Sequence, residues 1–179
     1  DFQLGMTRWF LKGEAQGRFN DDREAAIVRL GELAEETGAE FIVVAGDVFE
    51  HNALSREILA RATEMFKRLP VPVYVLPGNH DPLVADSVFY KASADNVHVI
   101  ADSEPIEVAP GVELVGAPYL SKRANHDLVR QALEPLGPAA GIRIAVGHGQ
   151  VDSRSGEDDA DTIDLAFVED CLDRGVIDY

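Results

Sequence analysis

The sequence predicts an α/β fold, in which helices and strands alternate along the chain and pack in layers. Three observations lead to this prediction. Apolar residues recur at helical spacing in several segments, short runs rich in Val and Ile lie between them, and polar turns containing glycine follow these runs. Runs of β-branched residues without polar interruption are typical of strands that are buried on both faces.

The individual elements follow from capping residues and breakers. The first helix should begin after Asn20, a good N-cap residue, and end at Gly38, with a strand at 41–45. A second helix is predicted from the cap residue Ser55 to Leu69, because two prolines follow it. The same signals predict strands at 73–76, 97–100, 106–108, 112–116 and 142–146, helices at 125–136 and 165–172, and a polar loop at 152–164.

Length and composition limit the class of protein. The 179 residues, of which 46% are hydrophobic, suit one domain with a sizeable core. We expect no membrane insertion, because the apolar runs are far shorter than the roughly 20 residues that a span requires. The one cysteine, Cys171, excludes an internal disulfide, and we expect it to be a small buried residue in a cytoplasmic protein.

The charge balance is strongly acidic. There are 32 Asp and Glu residues against 16 Lys and Arg residues, which gives a formal net charge of −16. Because affinity for the phosphate backbone comes mainly from Lys and Arg, this argues against broad, non-specific adhesion to nucleic acid. It does not exclude an enzyme that acts on nucleic acid, since bound cations or a local basic strip can offset the carboxylates.

Four polar clusters share one design, in which a glycine or tight turn places possible metal ligands at the end of an apolar strand. They are Asp1-Phe2-Gln3, Gly46-Asp47, Gly78-Asn79-His80-Asp81 and Gly147-His148. A hydrolase with two metal ions requires one carboxylate that bridges cations roughly 3.5–4 Å apart, and Asp47 suits that bridge. Asn79 offers an amide oxygen and His148 an imidazole nitrogen. This mixture of donors favours Mn, Fe, Zn or Mg, and His80 can face the substrate.

At these residues the sequence resembles the calcineurin-like metallophosphoesterase superfamily. The superfamily pattern reads Asp-x-His, Gly-Asp, Gly-Asn-His-Asp/Glu, a lone His and Gly-His-x-His. The stretches Gly-Asp-Val-Phe, Gly-Asn-His-Asp-Pro and Asp-Phe-Gln-Leu-Gly are most similar to the SbcD-type DNA repair exonuclease subunits. The resemblance implies a four-layer α/β/β/α sandwich of two mixed sheets, with the metal pair at the loops of one edge.

The resemblance also implies roles for single residues. Asp1 and Asp47 would hold the first metal ion, while Asp47, Asn79 and His148 would hold the second. His80 would be the catalytic histidine. Gln3 stands where the family has histidine, so the first metal ion would gain an amide oxygen or lose a ligand.

The ends of the sequence suggest an incomplete domain. The chain starts at Asp1 without an initiator Met, and residues 176–179 read as the opening of another strand. The Gly-His-x-His element of the family pattern is absent. We therefore interpret residues 1–179 as a metallophosphoesterase catalytic domain that lacks its first strand and its final element.

Three functions are compatible with these residues. The resemblance favours a Mn-dependent DNA exonuclease acting in DNA repair, with DNA as substrate, an SbcC-type ATPase as a possible partner and a possible homodimer. A phosphodiesterase or phosphatase for nucleotides or other small esters would suit the acidity better. A non-catalytic scaffold gains some support from Gln3.

Other polar residues carry weaker signals. His51, four residues beyond Asp47, is either a substrate ligand or a solvated loop residue, while His98 and His126 are expected to be exposed and structural. Lys122 and Arg123 can meet a phosphate backbone, although isolated basic pairs are usually only solvated. The acidic run 157–159 lacks the spacing of a calcium loop and is expected to be solvated.

Overall fold

The computed structural model describes residues 1–92, 94–152 and 162–179, and their elements alternate as an α/β fold requires. The helices are α1 (Ala15–Thr37), α2 (Arg56–Phe66), α3 (Leu128–Leu133) and α4 (Leu165–Asp173), with a short 3-10 helix at Val88–Tyr90. The strands are β1 (Ile42–Ala45), β2 (Val73–Leu76), β3 (Val97–Val99), β4 (Ile106–Ala109), β5 (Val112–Gly116) and β6 (Ile142–Val146).

The strands form two three-stranded sheets. The first has the order β1-β2-β3 and is parallel throughout, because α2 and the segment that contains the 3-10 helix provide the crossovers. The second has the order β4-β5-β6, with one antiparallel and one parallel pair. The second sheet is thus mixed, as expected, whereas the strands described for the first sheet are all parallel.

Apolar side chains separate four layers, which confirms the predicted sandwich. Along β2, Val73 and Val75 pack with residues of α1 and α2, whereas Tyr74 and Leu76 pack with residues of the second sheet. On the far side of that sheet, a third apolar cluster joins β5 to α3 and α4. The order of layers is therefore helices, first sheet, second sheet, helices.

The helix boundaries differ in part from those predicted. α1 begins at Ala15, before Asn20, and the Asn20 side chain accepts a hydrogen bond from Gln16 instead of capping the helix. The additional turn is held by Gln16, which accepts from the Arg8 N–H and donates to the Met6 carbonyl oxygen. Ser55 caps α2 as predicted, accepting from the Ile58 N–H at 3.3 Å, although α2 ends at Phe66 rather than Leu69.

The first and last segments lie beside strands. The Leu4 N–H donates to the Val48 carbonyl oxygen at 2.9 Å, which places the opening residues along the segment that follows β1. The Asp178 N–H donates to the Arg143 carbonyl oxygen at 2.8 Å, and the Ala145 N–H donates to the Tyr179 carbonyl oxygen at 2.7 Å. The segment that was read as an opening strand thus lies along β6.

Several weaker sequence signals concern two histidines, the cysteine and the predicted polar loop. His98 and His126 are exposed, as expected, and the His98 ring stacks on Tyr74 with 5.0 Å between ring centroids. Cys171 is buried, and burial raises the pKa of its thiol. Most of the predicted loop at 152–164, including the acidic run 157–159, lies outside the described residues. Among the helices of the described segments, none combines the length and apolarity needed to cross a bilayer.

The contact between the two sheets should contribute strongly to stability. Leu114 is fully buried between them, whereas Leu30 on α1 is 39% exposed. We expect Leu114→Ala to lower the free energy of unfolding by about 2–5 kcal/mol and Leu30→Ala by less than about 1 kcal/mol, measured by urea denaturation. Equal effects of the two substitutions would contradict the importance of the layer between the sheets.

Candidate metal centre

The ends of three strands meet at one edge of the molecule. β1 runs into Gly46-Asp47, β2 runs through Pro77 into Gly78-Asn79, and β6 runs into Gly147-His148. Since β1 and β2 are parallel neighbours, their carboxyl ends share an edge, and β6 brings its own end there from the second sheet. This is the position at which α/β sheets usually bind ligands.

The opening residues extend this edge. The Gln3 N–H donates to the Asp47 carbonyl oxygen at 2.8 Å, so the polypeptide around Asp1 is attached to the loop after β1. Gln3 and Asp47 have φ angles of 45° and 49°, a left-handed conformation that costs residues other than glycine free energy. Strained backbone of this kind clusters at functional sites, and here it occurs at two adjoining predicted ligands.

Asp47 lies at the centre of the cluster. Its side chain is almost fully buried, and its Oδ1 atom accepts a hydrogen bond from the His80 N–H at 3.1 Å. The same oxygen lies 3.4 Å from Nε2 of His148. Burial acts to raise the pKa of Asp47, but the hydrogen bonds from His148 and from the His80 backbone outweigh it and hold the pKa below its usual value.

His148 completes the cluster from the second sheet. Its Nε2 atom is 3.1 Å from the Asn79 Oδ1 atom, and its Nδ1 atom is 3.0 Å from the Ala45 carbonyl oxygen and 3.8 Å from Oδ1 of Asp1. The hydrogen bond with Asp47 is the largest cause of a raised pKa of His148. In the tautomer that carries its proton on Nδ1, this nitrogen donates a hydrogen bond to the Ala45 carbonyl oxygen. Nε2 then presents a lone pair next to the Asp47 and Asn79 oxygens.

These distances describe a group of donors that can hold a cation. Asp1, Asp47 and His148 each offer one ligand atom, and the three atoms lie within 4.8 Å of one another. The Asn79 oxygen touches the same His148 nitrogen. The set combines carboxylate, amide and imidazole donors without a thiolate, which suits Mn, Fe, Zn or Mg.

Two glycines are required for this approach of the loops. A Cβ atom on Gly78 would lie 2.3 Å from Oδ1 and 2.4 Å from the backbone nitrogen of Asp47. A Cβ atom on Gly46 would lie 2.2 Å from the His148 ring. Both distances are far shorter than van der Waals contact, so any side chain at these positions would force the donors apart.

Asp81 belongs to this site, although the sequence analysis assigns it no role of its own. It is fully buried, and its two carboxylate oxygens accept from the Phe49 N–H and the Gly78 N–H, each at 2.8 Å. Burial raises the pKa of this carboxyl group, although both hydrogen bonds favour the charged form. Asp81 thereby joins the loop after β1 to the loop after β2. The sequence signal that could have pointed to this role is the position of Asp81 at the end of the Gly-Asn-His-Asp motif.

The predicted histidines beside the cluster have different surroundings. The His80 side chain is exposed and its Nδ1 atom is 3.0 Å from the Glu50 carbonyl oxygen, which leaves Nε2 as the nitrogen that can meet a substrate. His51 is exposed, and its Nδ1 atom accepts from the Ala53 N–H at 3.2 Å. Gln3 is attached to Asp47 through its backbone, and its carbonyl oxygen accepts from Arg23.

Comparison with known proteins adds evidence of ancestry. The family model described as calcineurin-like phosphoesterase matches residues 17–176. The chain is also similar to the DNA double-strand break repair protein Mre11 of Archaeoglobus fulgidus, with 34% identity over 93 residues. That alignment covers 50% of this chain and 20% of the relative, so the chain matches only a fifth of that protein's length.

The close approach of Gly78 to Asp47 can be tested directly. We expect Gly78→Ala to lower the free energy of unfolding by more than about 2 kcal/mol, because the added methyl group meets backbone that cannot rotate away. Gly17→Ala on α1 is the control, since its methyl group would enter open space, and it should stabilise the helix by about 0.5–1 kcal/mol. Thermal and urea unfolding measure both, and an unchanged stability of Gly78→Ala would contradict the observed packing.

Proposed function

Because the chain belongs to the calcineurin-like phosphoesterase family, we propose that it hydrolyses phosphodiesters with a pair of divalent cations and acts on DNA. The observation that carries the proposal is the convergence of Asp47, Asn79 and His148, whose donor atoms lie 3.1 Å and 3.4 Å apart around one imidazole nitrogen. Three loops that are distant in the sequence supply these atoms. A shared set of ligands explains both their chemistry and their placement.

The donors fit a pair of cations with Asp47 between them. Asp1 and Asp47 would hold one cation, and Asp47, Asn79 and His148 the other, with the Gln3 amide as an additional donor at the first. We propose Mn²⁺ as the physiological ion, and Fe, Zn and Mg suit the same donors. When bound, such cations neutralise phosphate charge and lower the pKa of water, which supplies a nucleophile at neutral pH.

The surrounding residues have roles of their own. Asp47 is held by the His80 N–H, so the orientation of its carboxylate is fixed before any substrate arrives. The hydrogen bond between Nδ1 of His80 and the Glu50 carbonyl oxygen orients the ring, with Nε2 facing outwards. From there Nε2 can donate a hydrogen bond to a phosphate oxygen or pass a proton to the leaving alkoxide. His51, exposed on the loop after Asp47, is proposed as a weaker contact to substrate.

DNA is proposed as the substrate on two grounds. The sequence motifs resemble those of SbcD-type exonucleases, and the similar archaeal protein is a DNA double-strand break repair protein by name. Exonuclease action in DNA repair, an SbcC-type ATPase partner, a homodimer and a cytoplasmic location all belong to this proposal. The net charge of −16 favours the second candidate, a phosphodiesterase for small esters.

A comparison of substrates tests the function and its residues together. With Mn²⁺, the protein should degrade a labelled DNA duplex as well as bis(p-nitrophenyl) phosphate. Asp47→Asn and His80→Gln should each lower the rate by about 100-fold or more, because one removes the bridging charge and the other the proton donor. Asp86→Asn, at an exposed position, is the control. Activity on the small ester alone would support the second candidate, and activity on neither would support the scaffold.

The unusual Gln3 gives a separate prediction. We expect Gln3→His to increase the affinity for Mn²⁺ by about tenfold, because imidazole is a stronger ligand than an amide oxygen for this class of ion. Isothermal titration calorimetry on the metal-free protein measures the change. An unchanged affinity would mean that the side chain at this position does not face the cations.

A further inference from the structure

Two cavities adjoin beside the metal ligands. One, of about 390 Å³, is lined by the ligand Asn79 and by Lys122, Arg123 and Gln150. The other, also of about 390 Å³, has a mostly apolar surface, although polar residues such as Asp102 and Asn125 also line it. Tyr119 and Arg123 line both cavities, so the two spaces are neighbours, and together they are called the cleft.

The backbone fixes this cleft relative to the metal ligands. The Tyr119 N–H donates to the Pro77 carbonyl oxygen at 3.0 Å, and the Tyr119 carbonyl oxygen accepts from the Leu83 N–H at 2.8 Å. Pro77 and Leu83 flank the loop that carries Asn79 and His80. The Tyr119 ring also meets the His148 ring edge-on, with centroids 6.0 Å apart. The cleft therefore has a defined position beside Asn79 and His148.

The first cavity is positively charged in a strongly acidic protein. Lys122 and Arg123 are both exposed, and neither forms a salt bridge within residues 1–92, 94–152 and 162–179. Elsewhere in these segments, Arg29, Arg61, Lys67 and Arg174 are each paired with carboxylates. Two exposed basic residues next to Asn79 can attract an anionic group of the substrate.

The second cavity suits a flat and largely apolar group. Its wall includes Pro118, Leu120, Ala124 and the buried Tyr119. Gln131 also lines it; its side-chain oxygen contacts Nε2 of His126, and its amide nitrogen can donate to a ligand. Its volume is within the range that binds small organic groups. A nucleobase has apolar faces and a polar edge, so it can use the apolar wall and the polar residues together.

We propose that this cleft binds one nucleotide of the substrate next to the bond that is cleaved. Lys122 and Arg123 would hold the phosphate that neighbours the reacting one, and the apolar cavity would hold the base. The inference rests on the proposed function and deepens it, because it makes a nucleotide polymer a better substrate than a diester without bases.

Two variants address the two halves of the cleft. The double variant Lys122→Gln/Arg123→Gln removes the charge, and Ala124→Phe fills the apolar cavity. The control is Lys67→Gln/Arg68→Gln, which removes two positive charges just after α2, at the opposite edge of the first sheet. Each double variant lowers the formal net charge of −16 by the same amount, so the effect of overall charge is matched.

Kinetics with Mn²⁺ provide the first readout. For a pentathymidylate, we expect kcat/KM to fall by about tenfold in Lys122→Gln/Arg123→Gln and in Ala124→Phe, because a charge-assisted contact or a stacked base is lost. For bis(p-nitrophenyl) phosphate, which has no second phosphate, Lys122→Gln/Arg123→Gln should remain within about twofold of the parent. An equal loss in the Lys67→Gln/Arg68→Gln control, or equal losses of Lys122→Gln/Arg123→Gln on both substrates, would overturn the inference.

Binding without metal provides a second readout that is independent of activity. In the presence of EDTA, fluorescence anisotropy measures the binding of a labelled pentathymidylate and of an abasic oligomer of equal length. Lys122→Gln/Arg123→Gln should weaken the binding of both oligomers. Ala124→Phe should weaken the binding of the pentathymidylate alone. Should Ala124→Phe fail to fold in a thermal scan, the charge variant still decides the phosphate half of the cleft.

The two readouts separate the inference from the proposed function. A parent protein that hydrolyses neither substrate contradicts the proposed function, and the anisotropy then decides the cleft alone. Weaker binding by Lys122→Gln/Arg123→Gln would support the inference, and unchanged binding would overturn it. If the parent cleaves both substrates and every variant matches it on both, the phosphoesterase function is supported and the nucleotide-binding cleft is contradicted.

Discussion

The contact between the Gly78 backbone and the Asp47 side chain is the constraint on which the site depends. Asp47 reaches its position only because no Cβ atom stands at Gly78, and Asp81 holds the same two loops together through its hydrogen bonds to Phe49 and Gly78. His148 then approaches over Gly46, where a side chain would also collide. A glycine at each close approach and a buried carboxylate between the loops allow strands from two sheets to bring their candidate ligands together.

This convergence has an electrostatic consequence. Asp47 and Asp81 are both buried, and their negative charges lie close enough to influence each other. Without a cation, His148 and the His80 backbone N–H stabilise the Asp47 carboxylate. A divalent ion would provide much stronger compensation, and it requires His148 in its neutral form. The arrangement thus suits the exchange of a proton on His148 for a metal ion. Such an exchange would compensate the negative charges of Asp47 and Asp81 at this edge.

The position of the basic residues Lys122 and Arg123 reconciles the acidity of the chain with the proposed polyanionic substrate. A net charge of −16 repels DNA over most of the surface, whereas Lys122 and Arg123 lie beside Asn79 and face a cleft. A polyanionic substrate would then be attracted only where bound cations and these two side chains act together. Such a distribution favours selective contact at the reactive edge over adhesion to the whole surface.

The sequence by itself determined the fold class and most strands, and it predicted which residues are the candidate ligands. The β-branched runs and the polar turns after them are local signals, so the strands that end at Asp47, Asn79 and His148 could be recognised one by one. Ser55 capped its helix as predicted, whereas α1 began earlier than Asn20 because Gln16 is held by residues on the preceding loop.

Only the tertiary structure decided which loops meet and how closely. It placed Asp81 between two loops, gave Gln3 and Asp47 a left-handed backbone, and brought Lys122 and Arg123 beside Asn79. These features depend on contacts between residues far apart in the sequence, and such contacts leave no periodic pattern from which they can be read. Their physical origin is the pairing of β1 with β2 and the packing of the second sheet on the first, which together set the distances between strand ends.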